Sequence, residues 1–229
     1  GSNSHTWRDA DAGMIIFQGA VIGWALQVEV TLRDTANATT DATSHTFTGM
    51  ALGAADTRRY ILVGVGYSSL SAGVTVTIAG NTAPLVSGTQ AVSGVIRSEM
   101  HLLAVPTGTS ATIVISKGDA IIPYIAVWSC LLPNATAYDT ATSASDNPSL
   151  SLNTRRNGGF AVLAMSNGVD LTGFSWSGVT EDFEVGVSGA RYSGGSNETT
   201  VTGSRSVSAT ISFAPGGGIG ATATSAVSF

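Results

Sequence analysis

The chain has 229 residues, of which 11% are charged and 43% hydrophobic, and a formal net charge of −5. This balance argues against a disordered chain and against nucleic-acid binding, which needs a basic stripe. A single cysteine, Cys130, excludes an intrachain disulfide, and its apolar neighbours predict a buried thiol.

The N-terminal segment, residues 1–43, is predicted to hold one or two strands. Gly1-Ser2 is typical of a cloning remnant, which predicts a natural start at Met14 and partly non-native residues 1–13. Residues 14–24 are apolar but shorter than the roughly 20 residues of a membrane span. We therefore expect a buried strand or packing segment there, and no membrane insertion. Alternation over residues 26–33 predicts a half-exposed antiparallel strand.

Residues 44–229 are predicted to form one domain made of two similar blocks, residues 44–132 and 149–229. Alternating or apolar runs predict the first block's strands at residues 46–48, 60–67, 74–78, 95–105, 111–116 and 122–131. The segments at 33–44 and 133–148 are rich in Thr, Asn, Asp, Ser and Pro, and are predicted to be loops.

The second block repeats the first in order. Thr57-Arg58-Arg59 precedes the apolar run at 60–65, and Thr154-Arg155-Arg156 precedes, after three residues, the run at 160–165. Further strands are predicted at 150–152, 174–177, 183–187, 190–192, 207–213 and 221–229, with a flexible glycine-rich turn at 216–220. The repeat predicts two equivalent strand entries.

Short strands without a helical period predict an all-β fold, an antiparallel β-sandwich of two similar multi-strand blocks. Either each block forms one sheet, or the blocks interleave as in a jelly roll. The apolar last strand of each block favours the interleaved, jelly-roll form.

The arginine pairs are predicted to cap strand ends, with one arginine binding loop carbonyls or an acid while its neighbour stays solvated. Arg97, Glu99 and His101 alternate along one strand, with Met100 and Leu102 facing the core. This ladder predicts an ion-paired outer face that a sugar or a neighbouring subunit could also use.

Aromatic residues could provide a stacking surface for a sugar. Trp128 lies in an apolar strand and is predicted to be core. Trp176 is predicted to be either core or an exposed platform, with core favoured. Tyr138 and Tyr192 lie on loop-like segments and are predicted to be better exposed ligand candidates.

Catalytic and metal signatures are weak. The chain has no Gly-x-Ser-x-Gly motif and no histidine pair at ligand spacing, so we predict a non-enzyme without a cofactor or metal. Acidic residues that could offer oxygen ligands to Ca²⁺ are predicted instead to be solvated. They are Asp139 and Asp146 in the long loop, and Glu181, Asp182 and Glu184 after Trp176.

Four strings resemble structural proteins of tailed bacteriophages, prophages and gene-transfer-agent-like particles. They are TFTGMALGAADTRRYILVGV at 46–65, VTIAG at 76–80, VPTGTSATIVI at 105–115, and AVSF at 226–229. The resemblance covers about residues 44–229 and implies a fibre, spike or decoration protein on the phage particle.

That resemblance implies a homo-oligomer, with a trimer as one form, in contact with other virion proteins and with host-surface glycan. A bacterial carbohydrate-binding module or adhesin domain, located outside the cell, is the alternative. A polysaccharide-degrading enzyme is a third hypothesis, and it requires a cleft where acids and His101 meet.

Overall fold

The computed structural model describes residues 14–17, 20–23, 27–71, 73–187 and 189–229. These residues form strands and connecting turns, and every strand pairing is antiparallel. The predicted all-β class is therefore confirmed. Within the described part of the chain, no helix has the length and apolarity to cross a membrane.

The described residues contain seventeen strands, numbered here in chain order. They are β1 (Met14–Phe17), β2 (Ala20–Gly23), β3 (Glu29–Asn37), β4 (Ala42–Ala51), β5 (Arg59–Ser68), β6 (Thr75–Ile78), β7 (Asn81–Ala83), β8 (Ala91–Ser93), β9 (Ile96–Ala104), β10 (Ser110–Ile121), β11 (Tyr124–Leu131), β12 (Asp139–Ser143), β13 (Ser149–Thr154), β14 (Gly158–Ser177), β15 (Thr180–Val187), β16 (Ala190–Thr199) and β17 (Gly203–Ser228).

The first half of the molecule, β3 to β11, is a two-layer sandwich. Its inner sheet has the order β3-β11-β5-β9-β8 and its outer sheet the order β4-β10-β6-β7. Odd-numbered residues of β5, from Ile61 to Tyr67, face the outer sheet and bury an aliphatic core with Val76, Ile78 and Ile113. This packing follows the two-residue period of a strand.

The second half, β12 to β17, repeats this plan with longer strands. Its sheet has the order β12-β17-β14-β16-β15, with β13 also paired to β17. The first part of β14 corresponds to β5 and its last part to β6, while β17 combines the counterparts of β10 and β11. Leu150, Leu152 and Val207 pack on Phe160 and Val162, so these strands also fold into two layers.

The two halves pack through their inner sheets. Leu62, Met100 and Trp128 of the first half share one buried cluster with Leu163 and Met165 of the second. Each named sheet takes its strands from one half, so the predicted interleaving of the blocks is wrong, and the sheet orders do not confirm a jelly roll.

Several strand predictions are confirmed and others need correction. Val28 and Val30 are buried and the alternate positions 27, 29, 31 and 33 are exposed, as predicted; residue 26 lies outside the described residues. The predicted loops at 33–44 and 133–148 are shorter, because β3, β4 and β12 extend into them. The side-chain packing predicted for residues 14–24, and residues 1–13 themselves, also lie outside the described residues.

Candidate functional site

Arg59 is fully buried at the start of β5 and donates only to main-chain carbonyls. Its Nε donates to Val105 O at 2.7 Å, and its two terminal nitrogens donate to the carbonyls of Gly53, Ala54, Thr107 and Gly108. Burial lowers the pKa of Arg59 below its usual value. Neighbouring Arg58 is half-buried beside Asp56, at 3.5 Å. The prediction that one arginine of the pair binds loop carbonyls is confirmed.

The second arginine pair behaves differently, so the prediction of two equivalent strand entries is wrong. Arg155 and Arg156 are both exposed and lie in a tight turn before β14, which begins at Gly158. Three inserted residues, Asn157 to Gly159, separate this pair from the apolar run, and Gly159 stands directly before the run, where the first half has Arg59. Gly159 approaches Val30 of β3 so closely that a Cβ would lie 2.6 Å from Val30 Cγ2.

The ladder of Arg97, Glu99 and His101 is buried, so its predicted outer face is wrong. Their exposed fractions are 4%, 0% and 3%. The physical reason is that β9 belongs to an inner sheet, and layers on both sides cover it. Met100 and Leu102 face the core as predicted.

Glu99 and His101 form a satisfied internal pair. His101 Nε2 lies 3.4 Å from Glu99 Oε1, and His101 Nδ1 lies 3.0 Å from Ala83 O. Burial alone would raise the pKa of Glu99, but hydrogen bonds from His101, Gln90 and the Val74 N–H outweigh it and hold the pKa below its usual value. These groups stabilise the interior of the first half.

Two of the predicted aromatic ligand candidates are built into the packing. Tyr192 lies in β16, is 2% exposed and stacks on Tyr124 with ring centroids 4.7 Å apart, so its predicted exposure on a loop is wrong. Trp176 is half-buried, stacks on Phe174, and donates from Nε1 to Ser193 Oγ at 2.7 Å. Trp128 is fully buried as predicted, and so is Cys130.

Tyr138 is exposed as predicted, with 38% of its surface accessible, and lines a cavity of about 430 Å³. The cavity lies between the loop before β12 and residues 84–87 of the first half. Leu85, itself 40% exposed, and Val86 give it an apolar floor. Its polar lining residues are Ser87, Thr136, Asp139 and Thr140. We call this cavity the tyrosine cavity.

The loop that carries Tyr138 is fixed by hydrogen bonds at both ends. Tyr138 N donates to Ser228 O at 2.7 Å, and Thr136 N donates to the side chain of Asn134 at 3.0 Å. Asp139 Oδ1 accepts from Thr140 N, while its Oδ2 accepts from the main-chain N–H and the side-chain amide of Asn153. The carboxylate therefore serves the loop structure itself.

A second cavity, of about 190 Å³, adjoins the first. Thr136 lines both, and Arg155 of the second cavity places its guanidinium carbon 4.2 Å from the centroid of the Tyr138 ring. Arg156, Asn134 and Asn157 provide the other polar groups. We call this the arginine cavity. Together the two form a groove that is apolar and aromatic at one end and cationic at the other.

Sequence reasoning identified Tyr138 but not its partner. Tyr138 and Arg155 belong to different segments, and Arg155 was predicted only to cap a strand end. Nothing in the spacing of these residues indicates the contact. Only the pairing of the loop with β17 brings them together.

All five acidic residues were predicted to be solvated. Asp146 and Glu181 are exposed, whereas Asp139, Asp182 and Glu184 are half-buried and take part in hydrogen bonds or ion pairs, so the prediction is wrong for these three. Asp182 accepts from Trp128 Nε1 at 2.8 Å and from Ser196, and burial raises its pKa. Glu184 pairs with Arg191, and Glu181 accepts from Ser193. Within the described ranges, no group of three or more His, Cys, Asp or Glu side chains could hold a metal ion.

A polar cluster on the first half joins Lys117, Asp119, Ser69 and Ser71. Lys117 Nζ donates to Ser71 Oγ at 2.7 Å and lies 2.9 Å from Asp119 Oδ1. Hydrogen bonds from Ser69 and Lys117 lower the pKa of Asp119 to about 2. Lys117 is therefore the ion-pair partner of the Asp119 carboxylate.

Comparison with known proteins gives no family assignment: no protein-family model, curated protein or solved structure matches this chain.

Proposed function

We propose that this chain is a non-enzymatic virion structural protein, a fibre, spike or decoration protein of a tailed phage, that contacts host-surface polysaccharide through the tyrosine cavity. The observation that carries the proposal is Tyr138, an exposed aromatic ring held on a hydrogen-bonded loop above an apolar floor. The resemblance of residues 44–229 to phage particle proteins supports the virion role.

The lining of the tyrosine cavity suits a sugar. The apolar face of a pyranose ring packs on aromatic and aliphatic surface, here Tyr138 and Leu85, while hydroxyl groups at the rim exchange hydrogen bonds with the sugar hydroxyls. Ser87, Thr136 and Thr140 supply such hydroxyls. Because the loop is already fixed, binding would cost little ordering entropy.

Oligosaccharides released from bacterial envelopes, titrated by calorimetry, test the glycan contact. We expect Tyr138→Ala to weaken binding about tenfold or more, since stacking on an aromatic ring contributes roughly 1–3 kcal/mol. Val201→Ala removes another exposed side chain, 61% accessible and outside both cavities, and serves as the control. Unchanged binding by the Tyr138 variant, or no binding of any oligosaccharide by the wild type, would contradict the contact.

Oligomeric state tests the virion role separately. A fibre or spike protein should form a homo-oligomer, and light scattering at high concentration measures its mass. A strict monomer that still binds glycan would favour the alternative, a free carbohydrate-binding module or adhesin domain of a bacterium, since the tyrosine cavity serves either role.

A further inference from the structure

We infer that the groove takes an anionic saccharide, whose ring packs on Tyr138 while its carboxylate or phosphate group pairs with Arg155 and Arg156. The inference rests on the proposed glycan contact and adds the chemical class of the ligand. The ligand's charge is inferred from the arginine cavity. A neutral sugar would offer no negative group to pair with the two arginines there.

The two arginines have no carboxylate partner. Neither forms an ion pair within 4 Å with any group in the described part of the chain, whereas Arg58 lies beside Asp56, Lys117 beside Asp119 and Arg191 beside Glu184. Other arginines in the described residues also form no ion pair, but Arg155 and Arg156 are adjacent, both exposed, and line the same cavity. An arginine presents its donors in a planar fork that matches a carboxylate or a phosphate.

The repeat shows that this exposure is not required by the fold. At the corresponding strand entry of the first half, Arg59 donates hydrogen bonds to five main-chain carbonyls. In the second half, three inserted residues place the pair in a turn before the strand, and no buried arginine stands at this strand entry. The second pair is therefore free to serve a ligand.

The turn that carries the pair is held in place. Gly158 N donates to Arg155 O at 3.1 Å, which closes the turn, and Arg156 N donates to Thr202 Oγ1 at 2.9 Å. Asn157, with φ of 59°, adopts the left-handed conformation that asparagine tolerates, and its carbonyl accepts from Val28 N. A backbone fixed at these points presents its arginines with little loss of entropy on binding.

The groove also fixes the order of the ligand's parts. The guanidinium carbon of Arg155 lies over the Tyr138 ring, 4.2 Å from its centroid, so the cationic group and the aromatic ring are in direct contact. Asn134 and Asn157 add amide donors beside the arginines. Asp139 is the acid that lines the tyrosine cavity, and its oxygens already accept three hydrogen bonds from the protein. A sugar ring packed on Tyr138 would therefore have its acidic substituent near the arginines.

Calorimetry with matched ligand pairs tests this assignment on the full chain. One pair is the trimer of galacturonic acid against the trimer of galactose, which differ at C6 only. A second pair is the corresponding glucuronic acid and glucose trimers, and a third is glucose 6-phosphate against glucose. Inorganic phosphate alone tests for an anion site without a sugar requirement.

We expect one acidic member to bind about tenfold or more tightly than its neutral partner, because hydrogen bonds to charged groups are stronger than neutral ones. Arg156→Gln should weaken binding of the acidic member more than that of the neutral member and so remove most of the preference. Tyr138→Ala should weaken both members. Arg33→Gln, an exposed arginine on β3 outside both cavities, is the control and should change neither.

The outcomes separate the two proposals. Equal binding of acidic and neutral members, or an Arg156→Gln variant that keeps the preference, would overturn the anionic assignment while leaving the glycan contact intact. Binding of inorganic phosphate as tight as that of the acidic sugars would also overturn it. A preference for the acidic member that appears only in the phosphate pair, or only in the uronic acid pairs, would support the anionic assignment. It would also show whether the ligand's charge is a phosphate or a carboxylate. Binding that Tyr138→Ala leaves unchanged would contradict the glycan contact itself.

Discussion

Arg59 organises the end of the first half at which β5 begins. A single buried guanidinium satisfies five carbonyls from two separate segments, residues 53–54 and 105–108. Carbonyl groups in such turns cannot pair with a sheet and would otherwise need water. The charge is tolerated without an acid because every carbonyl presents its negative end to it.

Replacing Arg59 should therefore lower the stability of the protein considerably. We expect Arg59→Ala to lower the free energy of unfolding by about 3 kcal/mol or more, since each buried acceptor left unpaired costs roughly 1–3 kcal/mol. Arg156→Ala, the same change in the exposed copy of the pair, should stay within about 0.5 kcal/mol of the wild type. Urea unfolding of both variants measures the difference. Equal losses would show that the carbonyl contacts carry no stability.

Individual residues also show what the sequence could predict. Alternation correctly assigned Met100 and Leu102 to the core, and the apolar neighbours of Trp128 and Cys130 did the same for these two residues. The same alternation misplaced Glu99, because a two-residue period separates the faces of a strand but does not say whether a second layer covers the polar face. Glu99 is buried because donors from three separate residues satisfy its carboxylate, and local sequence does not indicate that set.

At the scale of elements, the halves differ in how they connect their two layers. In the first half, residues 69–74 separate β5 from β6, and Ile122-Pro123 separate β10 from β11. In the second half, β14 and β17 run on without a break. The predicted glycine-rich turn lies inside β17, where residues 214–217 bulge out between the pairs Val169–Gly218 and Leu171–Phe213. The glycine-rich sequence thus predicted a turn in this region, but not that the strand continues on both sides of it.

The central strand β5 contains glycines where the two inner sheets meet. A Cβ on Gly66 would lie 2.8 Å from two ring carbons of Tyr192, and one on Gly64 would lie 3.0 Å from Leu163 Cδ2. The sheets approach closely because these positions carry no side chain. Weak strand propensity at these glycines is the cost of that approach.

Gly66→Ala should consequently destabilise the protein by about 1–3 kcal/mol, as overpacking of a filled interior does. Gly118→Ala is the matched control, because Gly118 also lies in a strand, β10, and a Cβ there would meet nothing within 4 Å. The control should be neutral or slightly stabilising. Thermal unfolding followed by circular dichroism compares the two variants, and equal melting temperatures would argue against a close approach at Gly66.

The whole molecule is a pair of related sandwiches joined by their inner sheets. That residues 44–229 form a single domain of two similar blocks stays a prediction. The arrangement of the two blocks could not be derived from the sequence. A strand that is covered on both faces has an apolar sequence whether the neighbouring strands belong to its own block or to the other block. Polar contacts also cross the junction: Ser98 Oγ lies 2.7 Å from Ser225 Oγ, and Trp128 Nε1 donates to Asp182 at 2.8 Å.

A junction this well packed should make the halves unfold together. Leu163 of the second half fills the space above Gly64 and Trp128 of the first, so Leu163→Ala should cost about 2–5 kcal/mol through the cavity it leaves. Native-state hydrogen exchange then reports on each half separately. We expect the free energies of opening for the central amides of β5 and of β14 to fall by the same amount, while Val201→Ala changes neither. If only the β14 amides lose protection, the halves are independent folding units. The junction that supports the tyrosine cavity would then open without unfolding of the first half.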